Sequence, residues 1–262
     1  MMEVSHACYM GQYHKKQNGF CEDRFQYRQG KQYSSIALCD GATMAKRGGM
    51  AAEIVAQCVA DQLYAQFGRY LYEEPDTVIR ELTGKIEDRL LAQAEREGVA
   101  AYEYACTIMA AAMNTQGQFL CIHLGDGMIL RKQKGKDTFQ LVSKSENILL
   151  PNKTYLTGNC VLFRHMRFYR WYQEETEKLL LLTDGGTHCL LIPVQVRGNW
   201  EYALPCGYDG IQLQEYWKQC DEKETDDYSF AMLEREENEI DEIRKNNRDI
   251  AGNTFQISNA IL

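Results

Sequence analysis

The sequence has no pair of cysteines separated by two residues, although it contains ten cysteines among its 262 residues. A zinc ribbon requires such pairs, so their absence argues against that class of metal site. Several of the cysteines stand inside apolar runs, as in SIALCD and FLCIHL. We therefore expect small, buried cysteine side chains in a protein of a reducing compartment.

The sequence also lacks long apolar segments and an excess of basic residues. No apolar stretch approaches the roughly 20 residues of a membrane-spanning helix, and no basic segment followed by an apolar one opens the sequence as in a signal peptide. The net charge is −8, whereas a nucleic-acid-binding surface is basic. We expect a cytoplasmic protein with no membrane or nucleic-acid partner. A phosphorylated substrate is compatible with the acidic charge, because a bound cation reverses the local field.

Proline is scarce, with four residues, while 45% of the residues are hydrophobic and 25% are charged. This balance is typical of an ordinary globular protein. A chain of this length can bury a substantial core in one large domain or in two small ones.

Sequence periodicity divides the N-terminal half into strands, then helices, then strands again. The segments VSHACYM, FCEDRFQYRQ and YSSIALC are predicted strands. Apolar residues at helical spacing predict one helix over residues 48–67 and a second from Pro75 or Asp76 to about Glu97. Four short strand-like segments over residues 104–143 predict an antiparallel meander.

The C-terminal half continues with the same kinds of element. The segments CVLFRHMRFYRWY, EKLLLLTD and DYSFAML are predicted strands, and two short helices are predicted within residues 185–220. The economical interpretation is one α+β domain over residues 1–234, in which two antiparallel sheets carry helices on their outer faces. Residues 235–262 are charged and then polar, and we expect them to form a partly helical tail outside that domain.

Acidic residues recur in one local setting, an apolar strand-like run beside an aspartate and a turn. They lie in SSIALCDGAT at Asp40, FLCIHLGDGM at Asp126, KLLLLTDGGT at Asp184 and KETDDYSFAML at Asp226–Asp227. A further acidic pair, Glu22–Asp23, lies inside the second predicted strand.

The placement of these carboxylates has a chemical consequence. A strand that crosses a core delivers its last residue to the sheet edge, where glycine permits a tight turn. Several carboxylates at one edge repel each other and lose solvation, a cost that hard cations remove. Mg²⁺ and Mn²⁺ prefer oxygen ligands, so carboxylates without a matching set of histidines indicate these ions rather than Zn²⁺. Asp-Gly is also a common turn dipeptide, and each site taken alone is more often a plain turn.

In the order of its motifs the chain resembles the PPM phosphatases (protein phosphatase type 2C), particularly their divergent bacterial branch. The resemblance runs from about His14 to Leu233. Its motifs are HKKQNGFCEDRF, IALCDGATMAKRGGMAAEIVAQ, YACTIMAAAM, IHLGDGMIL, NKTYLTG, LLLLTDGGT and DDYSFAML. The resemblance implies a four-layer αββα sandwich, two antiparallel β-sheets flanked by helices, with a metal centre at one end.

The resemblance also implies roles for the first acidic motifs. Asp40 is expected to bridge two Mn²⁺ or Mg²⁺ ions, and the Gly41 carbonyl is expected to be a further ligand of one ion. Glu22 and Asp23 are expected to bind a metal or to orient its waters. Together Glu22, Asp23 and Asp40 are the predicted catalytic residues.

The later acidic motifs are expected to complete the ligand set. Asp184 and Asp226 would complete the second ion's site, and Asp126 together with Asp184 is a candidate for a weaker third site. We prefer Asp226 to its neighbour Asp227, because Ser229 then takes the position of the family's threonine. This choice is open by one residue.

The reaction that the resemblance implies is hydrolysis of phosphoserine and phosphothreonine monoesters by a water that bridges two Mg/Mn ions. The implied partners are a phosphorylated protein substrate and a cognate protein kinase. The family site needs neither His123 nor His188, so we expect both in packing or supporting roles.

Two departures from the family pattern concern catalysis. Many relatives carry a histidine after the Asp-Gly, where this chain has Ala42, so the general acid is unassigned. Many also carry an arginine before the acidic pair, where this chain offers Lys16 or His14 as candidates for binding the substrate phosphate. Lys46 and Arg47 are further candidates, although a solvated helix start is their more frequent role.

Three functions fit these features. The first is an active Mg/Mn-dependent serine/threonine phosphatase, which the retained aspartates favour. The second is a catalytically weak or inactive PPM-fold module for regulation or binding, which Ala42, the missing arginine and the charged tail favour. The third is a phosphatase that acts on small molecules or within a signalling switch.

Overall fold

A computed structural model describes residues 2–146, 154–173, 175–205, 210–219 and 225–235. The strands are β1 (Met2–Tyr9), β2 (Arg24–Gln29), β3 (Tyr33–Cys39), β4 (Ile108–Asn114), β5 (Phe119–Leu124), β6 (Met128–Gln133), β7 (Phe139–Ser143), β8 (Arg167–Trp171), β9 (Thr176–Leu182), β10 (Ile192–Val196), β11 (Asn199–Ala203) and β12 (Tyr228–Arg235). The helices are α1 (Gln12–Lys16), α2 (Gly48–Tyr70), α3 (Pro75–Glu97), α4 (Leu162–His165), α5 (Asp184–Leu190) and α6 (Gly210–Gln219). The tail predicted for residues 235–262 lies outside the described residues except for Arg235.

The strands form two antiparallel sheets. The larger sheet has seven strands in the order β1-β12-β9-β6-β7-β11-β10, and the smaller has five in the order β2-β3-β4-β5-β8. The predicted α+β sandwich of two antiparallel sheets with helices outside is therefore confirmed.

Three hydrophobic cores separate the four layers. In β3, Ile36 and Leu38 face the core between the sheets, whereas Ala37 and Cys39 face the core under α2 and α3. In the other sheet, the leucines of β9 alternate in the same way between the central core and the core that contains Leu213 and Trp217 of α6. Because successive side chains of a strand point to opposite faces, strands covered on both faces are apolar at nearly every position.

The two long helices agree with the predicted spans. Helix α3 begins at Pro75, whose missing N–H costs nothing in the first turn, and ends before Gly98, which has a φ of +63°. Helix α2 runs three residues beyond its predicted end at Phe67, to Tyr70. No helix within the described ranges has the length and hydropathy needed to span a membrane.

The predicted meander over residues 104–143 is wrong at its centre. Strands β4 and β5 belong to the five-stranded sheet, but β6 and β7 belong to the seven-stranded sheet. The chain crosses between the sheets at Gly125–Gly127. Gly125 has a φ of +117°, and a Cβ on Gly127 would lie 2.6 Å from the carbonyl oxygen of Leu182. Both positions therefore require glycine, and Asp126 is held between them.

Three other local predictions are corrected. The strand predicted over residues 160–172 is a short helix, α4, followed by β8. The segment after Asp184 contains the two predicted helices, α5 and α6. It also contains a hairpin of β10 and β11, which was not predicted because the alternation of apolar and polar residues extends over too few positions. The pair Glu22–Asp23 precedes β2 instead of lying inside it.

One end of the sandwich collects the acidic connections. Antiparallel pairing places the end of one strand beside the beginning of its neighbour. The registers at this end pair Arg24 with Cys39, Ile108 with Leu124, and Met128 with Leu182. The residues just outside these strand ends are therefore neighbours, although they are far apart in the sequence.

Candidate functional site

A cavity of about 930 Å³ opens at this end of the sandwich, and aspartates line it. Asp40 follows β3, Asp126 connects the two sheets, Asp184 follows β9, and Asp226 precedes β12. Gly41 also lines the cavity. The structure thus brings together all five residues that the resemblance named as metal ligands.

Asp40 is held by the strand that begins opposite it. Its N–H donates to Thr107 Oγ1 at 3.0 Å, and its carbonyl oxygen accepts the Thr107 N–H at 2.8 Å. Burial raises the pKa of the Asp40 carboxyl well above its ordinary range, and the charges of Asp23, Asp184, Asp226 and Asp126 raise it further. The carboxylate therefore lies where negative charge is concentrated and uncompensated by the chain.

Asp23 lies beneath the cavity with 2% of its surface exposed. Its Oδ2 accepts a hydrogen bond from Thr183 Oγ1 at 3.3 Å, while its Oδ1 is buried with no partner among the described residues. Burial raises its pKa to about 8, opposed by a hydrogen bond from Ser229 and reinforced by the charges of Asp227 and Asp184. Asp23 is thus a second carboxyl with unused acceptor capacity beside the cavity.

Asp184 and Asp126 are also carboxyl groups whose pKa is raised by burial and by neighbouring negative charges. Burial raises the pKa of Asp184 to about 6, with Asp126 and Asp226 adding to the rise. Burial also raises the pKa of Asp126, and Asp226 contributes. Like-charged carboxylates at one site raise each other's pKa unless cations bind between them.

The donor set fits small hard cations. Four carboxylates and a glycine backbone surround the cavity, and the buried Asp23, which is not part of the cavity wall, is close enough to Asp40 for their charges to interact. Among the described residues, however, no group of three or more His, Cys, Asp and Glu side chains is arranged so that it alone could hold one ion. Mg²⁺ binds one or two carboxylates in proteins and retains several waters. A closed zinc site would need more protein ligands at one point.

Asp227 lies behind the cavity wall, unlike its neighbour Asp226. It is 3% exposed, and its carboxylate accepts the N–H of Gly11 at 2.8 Å and the N–H of Glu22 at 2.6 Å. His14 Nδ1 lies 3.0 Å from Asp227 Oδ1. Asp227 therefore joins the segment after β1 to the segment before β2.

His14 is turned toward these carboxylates and not toward the cavity. Its Nε2 lies 3.6 Å from Glu22 Oε2, in addition to its contact with Asp227. Burial lowers the pKa of His14, but Asp227 and Glu22 raise it more, so the net shift is upward. A protonated His14 would partly neutralise the pair and hold Glu22 in place.

Asp226 and Asp227 are expected to respond oppositely to the same substitution. Asp227→Asn should lower the free energy of unfolding by about 2–3 kcal/mol, because an amide cannot accept all the buried donors that the carboxylate accepts. Asp226→Asn should leave it within about 0.5 kcal/mol or raise it. Urea denaturation of both variants in the presence of a chelator measures the difference, and equal effects would contradict this assignment.

The other predicted phosphate-binding residues do not line the cavity. Lys16 is exposed on α1. Lys46 Nζ lies 3.4 Å from Glu103 Oε1, and Arg47 Nε lies 2.7 Å from Glu97 Oε2. Lys46 and Arg47 thus connect the beginning of α2 to the C-terminal end of α3 and to the segment that follows it.

The described part of the cavity wall contains no lysine or arginine. Its polar side chains, apart from the aspartates, are neutral hydroxyls and an amide together with His188; they are Thr43, Thr107, Ser145, Thr154, Asn159, Thr187 and Thr225. Thr154 belongs to the motif NKTYLTG and Asn159 directly follows it, but the motif by itself predicts no role for either residue. His188, for which the sequence predicts a packing or supporting role, lines the cavity wall four residues after Asp184, a spacing that places both on one face of a helix.

His123 is a packing residue, as predicted. It is fully buried in β5, and its Nδ1 lies 2.7 Å from Ser143 Oγ. Burial lowers its pKa well below the ordinary value, and Arg167 contributes to the decrease. A neutral imidazole between the sheets is the consequence.

Comparison with known proteins adds a family and a fold. The sequence model of the family described as protein phosphatase 2C matches residues 10–203. No protein of curated function matches the sequence significantly.

Solved structures match over nearly the whole chain at low identity. A bacterial serine phosphatase is 17% identical with a TM-score of 0.62, covering 91% of this chain and 100% of its own. The serine/threonine phosphatase Stp1 from Staphylococcus aureus is 15% identical with a TM-score of 0.59, covering 90% of this chain and 96% of its own. RsbX in complex with magnesium is also 15% identical, with a TM-score of 0.58 and coverage of 90% and 96%. At this identity the likeness establishes a shared fold.

Proposed function

The chain belongs to the protein phosphatase 2C family, and from that premise we propose that it hydrolyses phosphoserine and phosphothreonine monoesters with the help of Mn²⁺ or Mg²⁺. The observation that carries the proposal is the convergence of Asp40, Asp126, Asp184 and Asp226 on one cavity. These four aspartates lie in four different connections and bring their negative charges together at the cavity. Their mutual repulsion destabilises the fold, and cation binding would give them a function.

The proposed ligands are those that the cavity places together. Asp40 would hold two ions, Gly41 would supply a backbone oxygen to one, and Asp184 and Asp226 would hold the other. Asp126 with Asp184 is the proposed third, weaker site. When bound, such ions lower the pKa of a bound water and neutralise the charge of the phosphate ester.

The residues behind the cavity position the ligands. Glu22 is fixed from two sides, because its N–H donates to Asp227 and its carboxylate lies beside His14. Asp23 is fixed by the Thr183 hydroxyl. We assign Glu22 and Asp23 to orienting waters in the cavity, and His14 to positioning Glu22. Because His14 faces these carboxylates, we propose that it positions Glu22 and does not bind the substrate phosphate directly. Lys16, which is exposed on α1, stays the proposed phosphate-binding residue.

The substrate phosphate would meet neutral donors from this chain. The hydroxyls of Thr43, Ser145 and Thr154 and the amide of Asn159 line the cavity. The Thr154 hydroxyl already donates to the Glu146 carbonyl oxygen, so the Ser145 hydroxyl and the second N–H of the Asn159 amide are the donors proposed for a phosphate oxygen. Neutral donors contribute less than a bidentate arginine. A high KM for small phosphate esters is therefore expected relative to family members that carry an arginine.

The test is hydrolysis of p-nitrophenyl phosphate and of a phosphothreonine peptide by the purified full-length chain. We expect activity in millimolar Mn²⁺ or Mg²⁺ that EDTA abolishes. The matched control is Asp88→Asn, which changes an exposed carboxylate on α3 and should keep full activity. No metal-dependent turnover with either substrate would refute the proposal.

A catalytically weak binding module is the second candidate, and one observation favours it. The described cavity wall offers no arginine or lysine, and Ala42 stands where many relatives carry a histidine. In that case Mn²⁺ would bind, as calorimetry would show, while phosphopeptides would bind without turnover. Turnover of the phosphopeptide decides between the two candidates.

The proposed partners follow from the proposed chemistry. A phosphorylated protein is the proposed substrate, and a protein kinase that forms its phosphate is the proposed counterpart, in a cytoplasmic signalling pair. Expression of this chain together with candidate kinases, followed by phosphoprotein staining, tests for a substrate directly.

A further inference from the structure

A second cleft opens on the flank of the sandwich, between β8 of the small sheet and β6–β7 of the large sheet. It encloses about 290 Å³, and Phe119, Arg131, Val142 and Trp171 are among its walls. It shares no lining residue with the aspartate cavity. Arg131 lies three residues along β6 from Met128, roughly 10 Å from the acidic end of the sandwich.

Arg131 brings a positive charge into this mostly apolar cleft. Only 8% of its surface is exposed, and its Nη2 donates to Gln140 Oε1 at 3.0 Å. Its Nη1 is buried without a hydrogen-bond partner among the described residues. The guanidinium carbon lies 3.8 Å from the centre of the Trp171 ring, and the indole Nε1 is also buried without a partner there. Two unsatisfied N–H donors therefore lie close together in one cleft.

Unsatisfied donors of this kind indicate an acceptor. A buried polar group without a partner destabilises the fold, and a charged one does so more strongly. An anion that accepts from both the guanidinium and the indole would remove that cost. Phe119, Leu141 and Val142 provide apolar walls for the rest of such a ligand, and Leu141 is 40% exposed at the surface.

The surrounding charges limit the anion to a single negative charge. Burial lowers the pKa of the Arg131 guanidinium, and the charge of Glu175 opposes that decrease. Arg170 also lines the cleft, but its guanidinium donates to the carbonyl oxygens of Leu71 and Glu73 on the face of β8 opposite to Trp171, so Arg131 is the cation that faces the cleft. One positive charge is therefore available, which a carboxylate matches and a dianionic phosphate ester exceeds.

We propose that this cleft is a binding site for a small aromatic carboxylate, separate from the phosphatase centre. One carboxylate oxygen would accept from Arg131 Nη1 and the other from Trp171 Nε1, and the ring would pack against Phe119 and Val142. The volume suits a ligand of this size, because it lies at the lower limit of the range for small-molecule pockets, about 300 Å³. The site does not depend on the proposed activity.

The experiment is a titration of the metal-free, full-length, ¹⁵N-labelled protein with sodium benzoate, followed on the indole N–H signals. The chain has three tryptophans, and Trp171→Phe assigns the signal of Trp171. We expect benzoate to shift that signal saturably while the signals of Trp200 and Trp217 stay unchanged. Benzyl alcohol, which has the ring but no charge, should produce no saturable shift at equal concentration.

A pair of variants tests the role of the guanidinium. Arg131→Met keeps an apolar stem and should weaken benzoate binding about tenfold or more, the usual loss for a charged hydrogen bond. Lys136→Met removes one exposed charge from the neighbouring β6–β7 turn and should not change the affinity. An unsaturable benzoate response, an equal response to benzyl alcohol, or unchanged affinity in Arg131→Met would overturn the proposal. If Arg131→Met does not fold, the comparison of the two ligands on the unsubstituted chain decides the question.

Discussion

Asp40→Asn is expected to lower metal-dependent hydrolysis of p-nitrophenyl phosphate on the order of 1000-fold, because metal-ion stabilisation of the transition state is worth several kcal/mol. Asp40 lies among Asp23, Asp126, Asp184 and Asp226, so one substitution affects both proposed ion positions. Asparagine has nearly the same size as aspartate. The hydrogen bond from the backbone N–H of residue 40 to Thr107 Oγ1 does not involve the side chain of residue 40 and is kept. A loss of activity with an intact fold is therefore the expected result.

The same substitution is expected to stabilise the metal-free protein. Burial and four neighbouring carboxylates raise the pKa of Asp40 well above its ordinary value, which means that its charge is unfavourable in the folded chain. Removing the charge should raise the free energy of unfolding by about 1–2 kcal/mol in a chelator, after allowance for partial exposure. In saturating Mn²⁺ the order should reverse, because an ion at 100 times its Kd stabilises the unsubstituted protein by about 2.7 kcal/mol.

Urea denaturation in EDTA and in Mn²⁺ measures whether Asp40→Asn raises or lowers the free energy of unfolding in each condition. Asp88→Asn again provides the control. A variant that loses activity and also loses stability in EDTA would show that Asp40 supports the fold and not the ion. Full activity would contradict the proposed function itself. The two failures are therefore distinguishable in one set of proteins.

The metal-free protein is expected to become less stable as the pH rises from about 5 to 8, by about 2 kcal/mol or more. The carboxyl groups of Asp184 and Asp23 have pKa values raised to about 6 and about 8, against 3.8 in an unfolded chain. Between those values the folded chain binds more protons than the unfolded chain, so the free energy of unfolding falls as the pH rises. The raised pKa of His14 acts in the same direction.

Mn²⁺ is expected to reverse this slope. Protons compete with the ion for the same carboxylates, so a lower pH then removes the stabilisation that the ion provides. Thermal unfolding between pH 5 and pH 8.5, with EDTA or with Mn²⁺, measures the two slopes. Asp23→Asn should flatten the EDTA profile across this range, whereas Asp88→Asn should not. A flat EDTA profile in the unsubstituted protein would mean that the aspartates do not share one electrostatic site.

The elements that were predicted correctly are those whose own residues indicate how the element is packed and where it begins and ends. Strand β3 ends in four consecutive apolar residues, Ile36–Cys39, because both of its faces are covered, and its predicted bounds, residues 33–39, are those observed. Helix α3 has a proline at its beginning and a glycine after its end. Local rules were sufficient in both cases, since the signals lie within the segment.

The predictions that failed depended on contacts between distant segments. Nothing within residues 120–133 shows that β5 and β6 belong to different sheets, because two short strand-like segments joined by the turn Gly-Asp-Gly are equally typical of a hairpin. Likewise Asp226 and Asp227 have the same local sequence environment. The hydrogen bonds from Gly11 and Glu22, more than 200 residues away, distinguish the buried aspartate from the one at the cavity.

The sequence by itself determined the kinds of residue in the acidic motifs, their order along the chain and the strand ends that carry them. Only the tertiary structure decided that Asp40, Asp126, Asp184 and Asp226 share one cavity, that His14 faces carboxylates, and that no lysine or arginine of the described residues lines the cavity wall. The physical reason is that antiparallel pairing brings alternate strand ends to one edge, and the pairing depends on which sheet each strand joins. That choice is made by packing between segments far apart in the chain.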